Sequence, residues 1–137
     1  MNAEAQALAG MGVVVTRPAG QAEALCRRIA AAGGEAIAFP TIDIRPAPDP
    51  APLRAALGRL GAYDYALFVS ANAVRAVHAE LGGRPWPAGV GVIAIGQRTA
   101  AAIREAGWPV TLSPPAPYTS ETLLAMPELQ RLEDCSI

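Results

Sequence analysis

The chain has 137 residues, 52% of them hydrophobic and 17% charged, with a formal net charge of −1. This is about one domain's worth of chain, rich enough in apolar residues for a globular core and too poor in charge for a disordered one. The near-neutral balance gives no electrostatic ground for nucleic acid or an anionic membrane as a partner, and all 11 basic residues are Arg, which excludes Schiff-base lysine chemistry and a P-loop lysine.

The elements follow in chain order. "MGVVVT" (11–16) is a β-branched run that reads as a buried strand. Ala22, Leu25, Cys26 and Ile29 recur at helical spacing, and "AGG" (32–34) stops that helix. Ile37, Phe39, Ile42 and Ile44 look extended, but Pro40 interrupts them and Pro46, Pro48, Pro50 and Pro52 follow, which marks residues 40–52 as an edge strand or connector. Leu53, Ala56, Leu57 and Leu60 form a second helical stripe. A strand is expected over 65–69, a helix over 72–81, a strand over 90–96, a helix bearing Ala100, Ile103 and Ala106 and ended by Gly107, and a strand over 109–113. After the Pro-rich loop "PPAPYT", Ser120 is placed to cap a short helix running through Leu124. Continuously apolar strands alternating with helices predict an α/β fold, a flavodoxin-like parallel sheet with helices on both faces.

The N-terminus has no basic n-region, and no run approaches the roughly 20 apolar residues of a membrane helix. Cys26 and Cys135 lie far apart, without metal-ligand spacing. A protein of the reducing cytoplasm is therefore expected. The final "LEDCSI" stops where another strand would begin, which predicts a truncated or continuing chain.

In open parallel sheets, ligands bind at the carboxyl ends of strands. Four such places are legible: Thr16 and Arg17; Ser70 and Asn72; Gly96, Gln97 and Thr99; and Tyr118, Thr119 and Ser120. They offer hydroxyls, amides, one Arg and backbone N–H groups at helix starts, a set suited to a polyanion held largely by neutral donors. Each residue also has a plain structural reading, as a helix cap for Ser70 and Asn72, a turn for Gly96 and a solvated charge for Arg17. His78 falls on the apolar side of its helix and reads as packed. No G-x-S-x-G elbow, no G-x-G-x-x-G after a strand and no acidic pair at the strand ends is present.

Five stretches, in order, resemble the uroporphyrinogen-III synthase family. "VVVTRPAGQAEAL" (13–25) is similar to its opening strand, turn and helix, and "FPTIDIRP" (39–46) to its connector strand. "YALFVSANAVRAV" (65–77) resembles its most recognisable stretch, with Val69 where Thr is common. "VIAIGQRTAAAIREAGWPV" (92–110) and "YTSETLLA" (118–125) resemble two later segments, the first departing at Gln97–Arg98.

The resemblance implies an enzyme of tetrapyrrole and haem biosynthesis that uses neither cofactor nor metal. It would cyclise hydroxymethylbilane with loss of water and inversion of the last pyrrole ring. It also implies two α/β domains joined by a β connector, with the cleft between them. On that plan residues 1–39 begin one domain, 40–52 are the connector and 53–137 are an incomplete second domain, so residues 1–137 alone would not close the ring. Carried onto matching positions, the cleft gives Ser70, Asn72, Gly96, Gln97 and Ser120 as substrate-binding and Thr99 as catalytic; Arg17 joins them from the strand-end reading. On that plan the family's tyrosine proposed to assist loss of the hydroxyl falls beyond residue 137, so no catalytic acid is assigned. The expected partner is the linear tetrapyrrole, bound by a monomer; the alternative is a flavodoxin-like module that binds an anionic small molecule without turnover.

Overall fold

The computed structural model describes residues 6–137. The elements are β1 (Gly12–Val15), α1 (Ala19–Ala31), β2 (Glu35–Ala38), α2 (Ala51–Gly58), β3 (Tyr65–Phe68), α3 (Ala71–Leu81), β4 (Gly91–Ala94), α4 (Gln97–Glu105) and α5 (Ser120–Leu124). Short 3-10 turns lie at Leu60–Ala62 and Pro127–Leu129. The chain divides into two compact units, one ending at Pro46 and one spanning Ala47–Ile137. Both strand pairs are parallel, so the fold is α/β as the strand–helix alternation predicts.

In the first unit β1 pairs with β2, Val13 opposite Ala36 and Val14 opposite Ile37. Side chains alternate across a strand, so the two faces differ sharply. Val13, Val15 and Ala36 pack with Ala22, Leu25, Cys26 and Ile29, the stripe of α1. On the reverse face Val14 and Ile37 are exposed, as is Phe39 beyond β2. The expected extended run through Ile44 ends early. Phe39 N–H donates to Val15 C=O (2.9 Å) and Thr41 N–H to Thr16 C=O (3.2 Å), but no strand continues. Pro40, between them, has no N–H for a ladder. α2 begins at Ala51, two residues ahead of its apolar stripe, because Pro52 fits the first helical turn, where an N–H is not needed.

In the second unit β3 and β4 run in register from Tyr65 opposite Gly91 to Phe68 opposite Ala94. Gly91 is required by close approach, since a Cβ there would lie 2.6 Å from the Tyr65 ring. Phe68, Val92 and Ala94 face Val74 of α3, Ile103 of α4 and Trp108. On the other face Ile93 packs with Leu112, Leu123 of α5 and Leu129. Helices thus flank both faces of this sheet. Val92, Ile93 and Ile103 are almost fully buried, each contributing about 1.5–3 kcal/mol of apolar burial. The His78 ring lies 5.6 Å from Trp108, packed as expected.

The strand expected over 109–113 is reduced to one parallel bridge, Ile93 to Leu112. Prolines at 109, 114 and 115 flank it. Thr111 also intrudes on the ladder: its hydroxyl accepts the Val92 N–H (2.9 Å) in place of a backbone carbonyl.

Candidate functional site

β3 and β4 are parallel, so their carboxyl ends emerge side by side, and Ile95 N–H still reaches Phe68 C=O (3.1 Å) beyond the last pair. Ser70 follows Phe68 by two residues and Gly96 follows Ala94 by two. The starts of α3 and α4 therefore share one rim. This brings together five of the predicted residues: Ser70, Asn72, Gly96, Gln97 and Thr99.

Ser70 is the N-cap of α3. It is extended (φ −151°, ψ 150°) and its Oγ accepts the Ala73 N–H (3.1 Å). The capping reading holds for its acceptor side, while the hydroxyl proton stays available to a ligand. Asn72, in the first turn, accepts from Arg75 Nη1 through Oδ1 (3.3 Å).

Gly96 is the N-cap of α4 at φ 86° and ψ 150°, a backbone state that only glycine adopts without strain. It brings no capping side chain, so among the described residues the first-turn N–H groups of Gln97, Arg98 and Thr99 have neither a side-chain nor an intrahelical acceptor. A Cβ on Gly96 would meet nothing within 4 Å. Thr99, the third helical residue, is 4% exposed. Its hydroxyl makes no hydrogen bond among the described residues. No fully enclosed side-chain polar atom among them lacks a partner, so the sliver of surface that Thr99 keeps includes that hydroxyl.

The loop before α5 closes on this turn. Gln97 Nε2 donates to Tyr118 Oη (2.5 Å), and Tyr118, at φ 59°, is the one non-glycine residue with positive φ among those described. Tyr118 was legible as part of a strand-end loop, but nothing in the sequence joined it to Gln97, 21 residues away.

The start of α5 differs from that of α4. Thr119, not Ser120, is its N-cap, in a reciprocal capping box with Thr122. Ser120 is the exposed first helical residue, because the Thr119–Thr122 spacing satisfies both backbone donors and leaves it no capping role. Glu121 adds a carboxylate that the strand-end reading overlooked. Its own backbone N–H and then the Thr119 hydroxyl hold its carboxyl below the usual range. α5 therefore carries its own anion. Arg17 lies in the first unit, past the carboxyl end of β1, exposed.

The fold and rim define a class: a parallel α/β unit whose strand ends present hydroxyls, a carboxamide and uncapped helix N–H groups. Residues 23–135 match the family described as Uroporphyrinogen-III synthase HemD. Over 124 residues the chain is 32% identical to the uroporphyrinogen-III synthase of Synechococcus elongatus, covering 87% of this chain and 46% of that protein. It is 35% identical to that of Salmonella typhimurium and 34% to that of Escherichia coli, each covering 89% of this chain and 50% of the relative. Among solved structures it is similar to Thermus thermophilus uroporphyrinogen III synthase, with 24% identity, a TM-score of 0.43, and coverage of 85% of this chain and 49% of that one. The chain belongs to the uroporphyrinogen-III synthase family. It spans about half the length of these relatives.

Proposed function

We propose that this chain serves a uroporphyrinogen-III synthase, cyclising hydroxymethylbilane to uroporphyrinogen III with loss of water and inversion of the last pyrrole ring. The observation that carries the reading is the family match across residues 23–135, which include all the rim residues of the second unit. The substrate bears eight carboxylates. Donors that are mostly neutral suit such a ligand, because they bind each carboxylate without the desolvation that many buried cations would demand.

In this reading the uncapped backbone N–H groups of α4, that of Gln97 included, and the Ser70 hydroxyl hold acetate and propionate arms. Asn72, Arg17 and Ser120 are further contacts, Ser120 the weakest because Glu121 beside it repels anions. Thr99 acts nearest the chemistry. The bond from the hydroxymethyl carbon to oxygen breaks, water leaves with a proton, and the resonance-stabilised azafulvene that remains is attacked by a carbon of the last ring. That carbon is the substituted α-carbon already bridged to the third ring. A carbon–carbon bond forms there, the old bridge bond breaks and re-forms at the ring's free α-carbon, and that carbon gives up its proton as the azafulvene nitrogen regains one. The ring is thereby inverted with net loss of one water. Most of the acceleration comes from holding the two ends so that the correct carbon attacks; the Thr99 hydroxyl steadies the departing oxygen or an arm beside it.

The units ending at Pro46 and spanning Ala47–Ile137 belong, in this reading, to two flavodoxin-like domains joined by residues 40–52. The enzyme works as a cytoplasmic monomer, without cofactor, metal, nucleic acid or membrane. The test is to incubate the protein expressed from its complete reading frame with hydroxymethylbilane and to separate the isomeric products. Type III above the spontaneous type I background supports the reading; type I alone refutes it.

A further inference from the structure

Gln97 and Tyr118 belong to different segments of the second unit, yet one side-chain bond joins them, and its direction matters. The Gln97 carboxamide nitrogen is the donor and the phenol oxygen the acceptor. Tyr118 therefore spends a lone pair, not its proton, on the bond, and its hydroxyl makes no other hydrogen bond among the described residues. Accepting from an amide also makes a phenol a better donor, because hydrogen bonds in series polarise one another.

The backbone fixes the ring from the other side. Tyr118 N–H donates to Pro115 C=O (3.0 Å), closing a tight turn, and the next residue is the cap of α5. The residue sits at φ 59°, where glycine would be at ease and a tyrosine is strained. A half-buried ring held this way has little freedom to turn its hydroxyl from the rim. Gln97 is the first residue of the turn whose third residue, Thr99, is buried with its hydroxyl unpaired among the described residues. Two hydroxyls near the start of α4, those of Thr99 and Tyr118, thus keep a proton that no described residue accepts.

We infer that Tyr118 contacts substrate, donating its phenolic proton to a carboxylate of the linear tetrapyrrole, and that Gln97 is the positioning residue that aims it. This rests on the synthase reading and adds to it a residue that selects the anionic arms. A tyrosine at this position would recognise a carboxylate and not the pyrrole carbons, so its loss would weaken binding more than it slows the chemical step.

The experiment uses the protein expressed from its complete reading frame. Tyr118→Phe keeps the ring and removes only the hydroxyl; Gln97→Met keeps the length of the side chain and removes the donor. Type III formation gives kcat and KM, and anaerobic calorimetry with uroporphyrinogen III gives the affinity for an octacarboxylate without turnover. Tyr118→Phe should raise KM and the dissociation constant about tenfold, with kcat within twofold and the melting temperature essentially unchanged. Gln97→Met should show a smaller loss of the same kind, and the double variant should be no worse than Tyr118→Phe alone. Tyr118→Phe binding as tightly as wild type overturns the inference, as does a lowered melting temperature with KM unchanged, which would mark the bond as a loop clasp only. Wild-type protein that binds the octacarboxylate but forms no type III product would refute the synthase reading while leaving the Tyr118 comparison in binding decisive.

Discussion

Replacing Thr99 by Val separates what the residue does for the fold from what it does for a ligand. Thr99 is 4% exposed and sits on α4 beside Ala100, Ala102 and Ile103, all buried. Ordinarily Thr→Val is not a conservative change, because a buried hydroxyl leaves a partner behind. Here the hydroxyl has none among the described residues. Substitution by a methyl group of similar size strands no donor or acceptor and adds about 1 kcal/mol of apolar burial at most. Both residues are β-branched, so helix propensity barely changes. The expected shift in melting temperature is zero or upward, by at most about 4–8 °C for a unit of this size. Thr99→Ala, in contrast, removes a buried methyl and should cost about 1 kcal/mol or more. If the hydroxyl serves the reaction, Thr99→Val should lower type III turnover at least about tenfold, a transition-state loss of roughly 1.4 kcal/mol, in a protein that melts no lower than wild type. Thr99→Ser, which keeps the hydroxyl, should restore most of that turnover while melting lower. The assays are thermal unfolding by circular dichroism and chromatographic separation of type III from type I product. Wild-type turnover in Thr99→Val would refute the reasoning, because nothing else about the site would have changed.

Three other outcomes follow from the same geometry. Gly96→Ala meets no steric obstacle but must hold φ 86°, so it should cost about 1–2 kcal/mol in thermal unfolding and shift the start of α4, with a matching rise in KM. Ser70→Ala should lose about 1 kcal/mol with the Ala73 cap, whereas Ser70→Asp should keep the cap and the stability yet raise KM, since it sets a carboxylate on the rim proposed to receive carboxylates. The Glu121 carboxyl is held below its ordinary value of 4.5, so its stabilising contribution is complete above the unfolded value and fades as pH falls through the folded one. Melting curves taken downward from pH 5 should therefore be steeper for wild type than for Glu121→Gln, and identical slopes would count against those two hydrogen bonds.

Much of the scaffold could be read from local pattern. The stripe Ala22, Leu25, Cys26, Ile29 obeys the helical period and the run around Val92 is continuously apolar, and both formed the expected element. What failed depended on partners remote in sequence. Whether 109–113 pairs along its length turns on the Thr111 hydroxyl taking the Val92 N–H, a contact 19 residues away that no propensity encodes. Extension beyond Ala38 looked plausible from Ile42 and Ile44, but ladder formation depends on N–H groups, and Pro40 lacks one.

The site divides along the same line. Ser70, Gly96 and Thr99 were legible because strand-to-helix junctions are local and rims follow from parallel pairing. The swap of cap from Ser120 to Thr119 was missed because both residues can cap, and the Thr122 side chain decides between them. Glu121 escaped because only acidic pairs at the strand ends were considered, and it acts singly, on its own helix start. The Gln97–Tyr118 bond has no sequence signature, since an amide and a phenol 21 residues apart meet only once the loop is folded.

The most direct test of the central claim is the isomer ratio formed from hydroxymethylbilane by the protein expressed from its complete reading frame. The account predicts predominantly type III uroporphyrinogen, with the fraction falling towards the spontaneous type I product in Thr99→Val. A product mixture indistinguishable from the protein-free reaction, from folded wild-type protein, would contradict it.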